Sequence, residues 1–133
     1  MNFNSTLPLR FVAPSYLRSE HNILTCLSAR SCLDQWLTVM AFPAGSRVLL
    51  SAVNIPDILV VLRAHQLVPV PIDLHVDTLA PQLPLLEQAA RRGTAPDRKD
   101  QRVVAILVAQ LYGRRFDMRP IVHIAQQYNV KVS

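Results

Sequence analysis

Glycine is scarce: three in 133 residues, at positions 45, 93 and 113. That spacing holds neither a G-x-G-x-x-G turn nor a P-loop, which sets aside a dinucleotide-binding or flavodoxin-like reading. Collagen-like and glycine-rich repeats are excluded as well. Cysteine is limited to Cys26 and Cys32. Two cysteines with no histidine at ligand spacing make neither a disulfide scaffold nor a zinc site, so no metal is expected. Two buried thiols in a reducing compartment are the expectation. Aromatic residues make up 6% of the chain and do not alternate with its arginines. No stacking groove follows, and no nucleic-acid partner. The longest uncharged apolar run, Val103 to Ala109, has seven residues, far short of the roughly 18 that span a bilayer. No membrane partner is expected. The opening stretch, MNFNSTLPLRFVAPSY, lacks a basic segment followed by an apolar one, so no signal peptide is read and a cytoplasmic location is expected.

What is present is apolar. Hydrophobic residues make up 50% and charged residues 17%, a balance that excludes disorder and supports a packed core. Fourteen basic residues face nine acidic ones, and only Lys99 and Lys131 are lysine. A basic excess favours anionic partners or simply a solvated surface. The densest basic stretch, Arg91-Arg92 and Arg98-Lys99, reads as a loop tip around Gly93 to Asp97.

Residues 1–25 read as an irregular arm, with one short helix near Leu17 to Leu27. Over Ser31 to Ala41 the apolar residues Cys32, Leu33, Trp36, Leu37 and Met40 share a helical face. Ser28 or Arg30-Ser31 holds its start, and Pro43-Ala44-Gly45 ends it. Arg47 to Ser51 is a short strand. Asn54-Ile55-Pro56-Asp57 reads as a helix start with Asn54 as N-cap, running to about His65. Val68 to Ile72, with two prolines, reads as an edge strand. Asp73 to Thr78 is a turn, and Leu83 to Arg92 is helical. Val103 to Val108 is wholly apolar, the mark of a strand covered on both faces. Asp117 caps a helix that takes Pro120 in its first turn and reaches Tyr128. Asn129 ends it, and Val130 to Val132 forms a last strand.

The order is helix, then β-α-β-α-β-α-β: an α/β fold with a mainly parallel sheet and flanking helices. Function in such folds gathers at the carboxyl ends of strands. Those ends are Ser51 to Asn54, Asp73 to Asp77 and Ala109 to Gly113.

Several segments resemble one family in order and spacing. Ser28-Ala29-Arg30-Ser31-Cys32-Leu33 is similar to the S-G-[TR]-[SA]-A-L helix start of DegT/DnrJ/StrS-type sugar aminotransferases. Pro43 to Leu50 is similar to their P-x-G-D-E-V-[IL]-[VL]. Leu67 to Asp73 with Asp77-Thr78-Leu79 resembles G-x-x-P-V-F-V-D-x-x-x-D-T-L. Gln110-Leu111-Tyr112-Gly113 with Asp117-Met118 resembles H-L-Y-G-x-x-x-D-M. Ile124 to Val132 resembles the segment leading into E-D-x-A.

The resemblance implies part of a fold-type-I large domain over residues 26–133, dependent on pyridoxal 5′-phosphate (PLP). It implies amino transfer from an amino acid such as glutamate to a keto sugar, often nucleotide-linked, in a homodimer. By the same resemblance the cofactor-binding residues are Arg30 and Ser31 at the phosphate, Asn54 and Ile55 at the ring, and Gln110 where the family commonly has His. Asn54 is also explained as an N-cap alone, and Arg30-Ser31 as an ordinary capped helix. Asp73 and Thr78 shape the turn after their strand. His21, His65, His75 and His123 match no catalytic position, and His65 and His123 are expected on helix surfaces. Ala29, Ile55 and Gln110 depart from the family pattern. The E-D-x-A aspartate and the Schiff-base lysine have no counterpart here, and neither Lys99 nor Lys131 fits the nucleophile's place. No catalytic residue is therefore assigned. The chain reads as an inactive N-terminal portion of such an enzyme or, alternatively, a non-catalytic binding or dimerisation module.

Overall fold

The structure, a computed structural model, describes residues 26–94 and 102–133. The expected arm over 1–25 and the tip of the basic loop around Arg98-Lys99 lie outside the described residues.

Four helices and four strands alternate: α1 (Ala29–Met40), β1 (Arg47–Ser51), α2 (Pro56–Ala64), β2 (Val68–Ile72), α3 (Leu83–Gly93), β3 (Val103–Leu107), α4 (Arg119–Gln127) and β4 (Lys131–Val132). The strands form one parallel sheet in the order β2-β1-β3-β4. β1 connects outward to β2 on one side, and β3 connects outward to β4 on the other. Right-handed crossovers then put α2 on one face and α3 with α4 on the opposite face.

Two apolar layers fill the two faces. On one, Leu33 and Leu37 of α1 and Leu62 of α2 pack with Val48, Leu50, Val104 and Leu107. On the other, Leu86 and Ala90 of α3 and Ile121, Ile124 and Ala125 of α4 pack with Leu49, Val103 and Ile106. β1 and β3 feed both layers because successive side chains point to opposite faces. All five residues of β3 are buried, as its unbroken apolar run predicts.

β2 is an edge strand, as its prolines predict. The Val68 N–H donates to the Ser46 carbonyl at 2.9 Å. Alternation therefore turns the nitrogens of Pro69 and Pro71 away from β1, where no ladder needs an N–H. Gly93 has a different constraint: a Cβ there would sit 2.8 Å from Cβ of Val103, so the end of α3 closes directly onto the start of β3.

Helix ends differ from expectation in detail. Ser28 is the N-cap of α1, so Arg30 and Ser31 lie inside its first turn. At α2 the N-cap position belongs to Ile55, not Asn54. Asn54 Oδ1 accepts the Ile55 N–H at 2.9 Å instead, and Pro56, lacking an N–H, begins the helix. Met118 holds the N-cap position of α4, with no side-chain bond. Asp117, one residue earlier, does the work, accepting the Arg119 N–H at 2.9 Å. Asn129, with φ 53°, takes the left-handed position just past α4.

Two expectations about side chains are corrected. His65 is half-buried rather than a surface residue, because its Nε2 lies 2.8 Å from Asp34 Oδ1 and ties α2 to α1. Cys26 and Cys32 are half-buried rather than buried. Hydrogen bonding with Cys32, then partial loss of hydration, pushes the Cys26 thiol up.

Candidate functional site

The strand order reverses direction between β1 and β3, and in open α/β sheets ligands bind at such a switch point, beyond the carboxyl ends of the strands. A crevice of about 300 Å³ lies there. Its walls come from four segments far apart in sequence: Ala29 and Leu33 of α1, Asn54, Ile55 and Ile58 around the start of α2, Leu107 to Ala109 at the end of β3, and Ser133 after β4. Ser51, buried at the end of β1, accepts the Ala109 N–H on its Oγ at 3.3 Å. That bond joins the two strand ends beside the crevice.

α1 starts at the crevice wall. Of its first four amides, Ser31 donates to Ser28 Oγ at 3.2 Å and Cys32 to the Ser28 carbonyl at 3.0 Å. The Ala29 and Arg30 amides have no partner among the described residues. Two free amides at the positive end of a helix dipole suit an anion. The Ser31 hydroxyl sits 3.0 Å from Ser28 Oγ. The Arg30 guanidinium, half-exposed, pairs with Asp57 in the first turn of α2.

The residues expected to hold a cofactor therefore separate. Asn54 and Ile55 line the crevice with Ala29. Arg30 and Ser31 follow Ala29 in the same helical turn, the first with its side chain engaged by Asp57 and the second by Ser28. Gln110 is exposed, one residue beyond the lining Ala109. From there the chain leaves through a turn in which Tyr112 (φ 54°) and Gly113 (φ 72°) are both left-handed. The loop after β2 is held by its own bonds: the Ala80 N–H reaches Thr78 Oγ1 at 3.3 Å, so Thr78 shapes that turn. Arg114 donates to the Asp77 carbonyl, linking the loops that follow β2 and β3. Asp57 escaped the sequence reading except as a helix-start residue. Its pairing with Arg30 bridges 27 positions, and no local pattern signals it.

The residues at the start of α1 fit the phosphate of PLP: the Ala29 and Arg30 amides have no partner among the described residues, no Asp or Glu side chain stands in the lining, and an apolar side chain, Ile55, is half-exposed at the rim. A larger depression of about 500 Å³ is lined by Pro84, Leu85, Glu87, Gln88 and Arg91, all of α3. One helix face supplies every group, so nothing converges on a ligand there. Among the described residues no cluster of His, Cys, Asp and Glu could hold a metal ion, and no helix is long and apolar enough to cross a membrane.

Comparison with known proteins agrees with this fold. The sequence model of the DegT/DnrJ/EryC1/StrS aminotransferase family matches residues 11–133. No curated protein matches. S. venezuelae DesV, solved in complex with a ketimine intermediate, superposes with a TM-score of 0.65 at 22% identity, over 77% of this chain and 25% of that one. 3-Amino-5-hydroxybenzoic acid synthase gives 0.64 at 20% identity, over 77% and 24%. Spr1654 of Streptococcus pneumoniae, named as a sugar aminotransferase and solved in its PLP form, gives 0.63 at 22%, over 78% and 24%. At these identities the likeness establishes the fold, that of fold-type-I PLP aminotransferases. The chain spans about a quarter of the length of each of these structures.

Proposed function

Because the chain belongs to the DegT/DnrJ/EryC1/StrS aminotransferase family, we propose that its switch-point crevice receives the phosphate end of PLP in an amino-transfer enzyme. The reaction class is transfer of an amino group from an amino acid such as glutamate to a keto sugar, often nucleotide-linked. One observation carries the reading: Ala29, Asn54, Ile55 and Leu107 to Ala109 converge where the sheet reverses direction, at the start of α1, whose Ala29 and Arg30 amides have no partner among the described residues.

When bound, PLP supplies an electron sink for amino transfer. The residues of this chain bind and orient. The Ala29 and Arg30 amides would donate to the phosphate, and Ser28 keeps the helix start rigid by capping it. Asn54 offers its amide N–H₂, since its oxygen is spent on Ile55. Ile55 would cover the ring without stacking on it. The Ser51–Ala109 bond closes the gap between strand ends against water. Gln110, at the rim, can donate a hydrogen bond but cannot titrate. Lys131 is exposed in β4 and absent from the crevice lining, and we read the chain as inactive by itself. A homodimer and a cytoplasmic location complete the proposal.

Equilibrium dialysis of the 133-residue chain against PLP and against pyridoxal tests the site. The phosphate ester is expected to bind more tightly, and Ala29→Glu to abolish the difference. A glutamate at the first helical position favours the helix itself, so lost binding would not reflect lost folding. Equal binding of the two compounds, or no effect of the substitution, would overturn the assignment. Turnover of glutamate and a keto sugar by the chain alone would overturn its inactivity.

A further inference from the structure

A second cavity, of about 230 Å³, lies at the opposite end of the sheet. It is lined by Arg47 and Leu49 of β1, Val70 of β2, Val103 of β3, and Ala89, Arg92 and Gly93 of α3. Arg47 and Val103 open their strands, so the cavity sits at the amino ends, roughly 13 Å along β1 from the crevice. We infer that this cavity binds a small phosphate monoester carrying a compact apolar group.

Charge is the first argument. Arg30, His65 and Arg119 each have a carboxylate partner, and Arg114 has a backbone carbonyl. The guanidinium groups of Arg47 and Arg92, like those of Arg63, Arg91, Arg102 and Arg115, have neither carboxylate nor any hydrogen-bond partner among the described residues, and these two share the lining of one cavity. Arg47 is half-buried all the same. Arg92 is exposed; two like charges lining one concave site repel, and a bound anion removes that repulsion. A third arginine is close by: the Arg47 N–H donates to the Arg102 carbonyl at 2.8 Å. The carboxyl end of α3 works in the other direction, carrying partial negative charge toward this region. The Thr94 hydroxyl engages the carbonyls of Ala90 and Arg91, at 3.1 and 3.3 Å, and weakens that opposition.

The lining gives the second argument. Leu49, Val70, Ala89 and Val103 supply the apolar part of the lining that Arg47 and Arg92 share. Gly93 meets Val103 so closely that no side chain fits between them, which fixes the wall. A phosphate monoester carries close to two negative charges at neutral pH, matching two guanidinium groups, each of which can bind it bidentately. A carboxylate brings a single charge and would use one of them. An apolar substituent would displace water from the apolar part of the lining.

The test is calorimetric titration of the 133-residue chain with phenyl phosphate, with inorganic phosphate and benzoate as comparisons. Phenyl phosphate is expected to bind more tightly than either. Arg47→Gln and Arg92→Gln are each expected to weaken it about tenfold, since each removes a charge-assisted contact. Neither side chain has a hydrogen-bond partner among the described residues, so both variants are expected to keep the parent's circular dichroism. Ala29→Glu, which disables the crevice, is expected to leave the part of phenyl phosphate binding that depends on Arg47 and Arg92 unchanged. The inference is overturned if the arginine substitutions change nothing, if Ala29→Glu alone abolishes binding, if either comparison compound binds equally well, or if phenyl phosphate does not bind. A failed crevice would appear in the PLP dialysis and not in this titration.

Discussion

Asp117 shows how much a single carboxylate can organise while contributing little stability. Its oxygens receive the Arg119 backbone N–H and side-chain bonds at 2.8–3.0 Å. The side-chain bonds to Arg119, before any other cause, hold its pKa below the usual aspartate range, and the same pairing raises that of Arg119. A carboxyl group with a depressed folded pKa stabilises the fold above its unfolded value. That contribution is lost as pH falls through the lower, folded value. An NMR titration is expected to place the Asp117 midpoint below the usual range and to return it there in Arg119→Ala. Both groups are well exposed, so stability near neutral pH is expected to change little. The role of Asp117 at a helix start was legible in sequence. Its fork with Arg119 was not, because a side-chain rotamer decides it.

At the level of elements, β2 carries the clearest signal. Pro69 and Pro71 occupy alternate positions, so both missing N–H groups fall on one side. The sheet places that side outward. The prolines thus leave the edge without a regular row of donors, a device that discourages pairing with another chain. Pro69→Thr with Pro71→Thr restores both donors and a strand-forming side chain. The double variant is expected to raise concentration-dependent association in analytical ultracentrifugation, with the monomer's circular dichroism unchanged. Unaltered sedimentation would mean that the edge is blocked by something else. α2 teaches the converse: Asn54 and Asp57 announced a helix start, yet Ile55 holds the cap position. Local propensity locates such a boundary to within a residue, and the loop geometry chooses the residue.

In the molecule as a whole, the two apolar layers share β1 and β3, so neither is expected to unfold alone. Ile106 packs with α3 and α4. Trp36 lies on the other side, against the layer of α1 and α2, with its ring 5.6 Å from that of Phe42. Ile106→Ala leaves a cavity in the first layer and is expected to cost about 2–5 kcal/mol. Trp36 fluorescence reports on the second layer. In urea its midpoint is expected to fall as far as that of the far-ultraviolet circular dichroism. A fluorescence midpoint that stays in place would show two independent layers.

Element order and type were determined by the sequence alone, as were the edge position of β2 and the buried position of β3. Each follows from local causes: the period of apolar residues, prolines that remove donors, and polar residues at helix starts. The sequence also carried the motifs that place the chain in its family. Only the tertiary structure decided which side chains meet. Strand order put Ala29, Asn54 and Ile55 around one crevice and left Gln110 beyond the lining. It joined Ser51 to Ala109 across 58 positions. It also brought Arg47 into the lining of one cavity with Arg92, which in sequence read as part of a basic loop tip. Such meetings depend on how helices close over a twisted sheet, and no window of neighbouring residues encodes them.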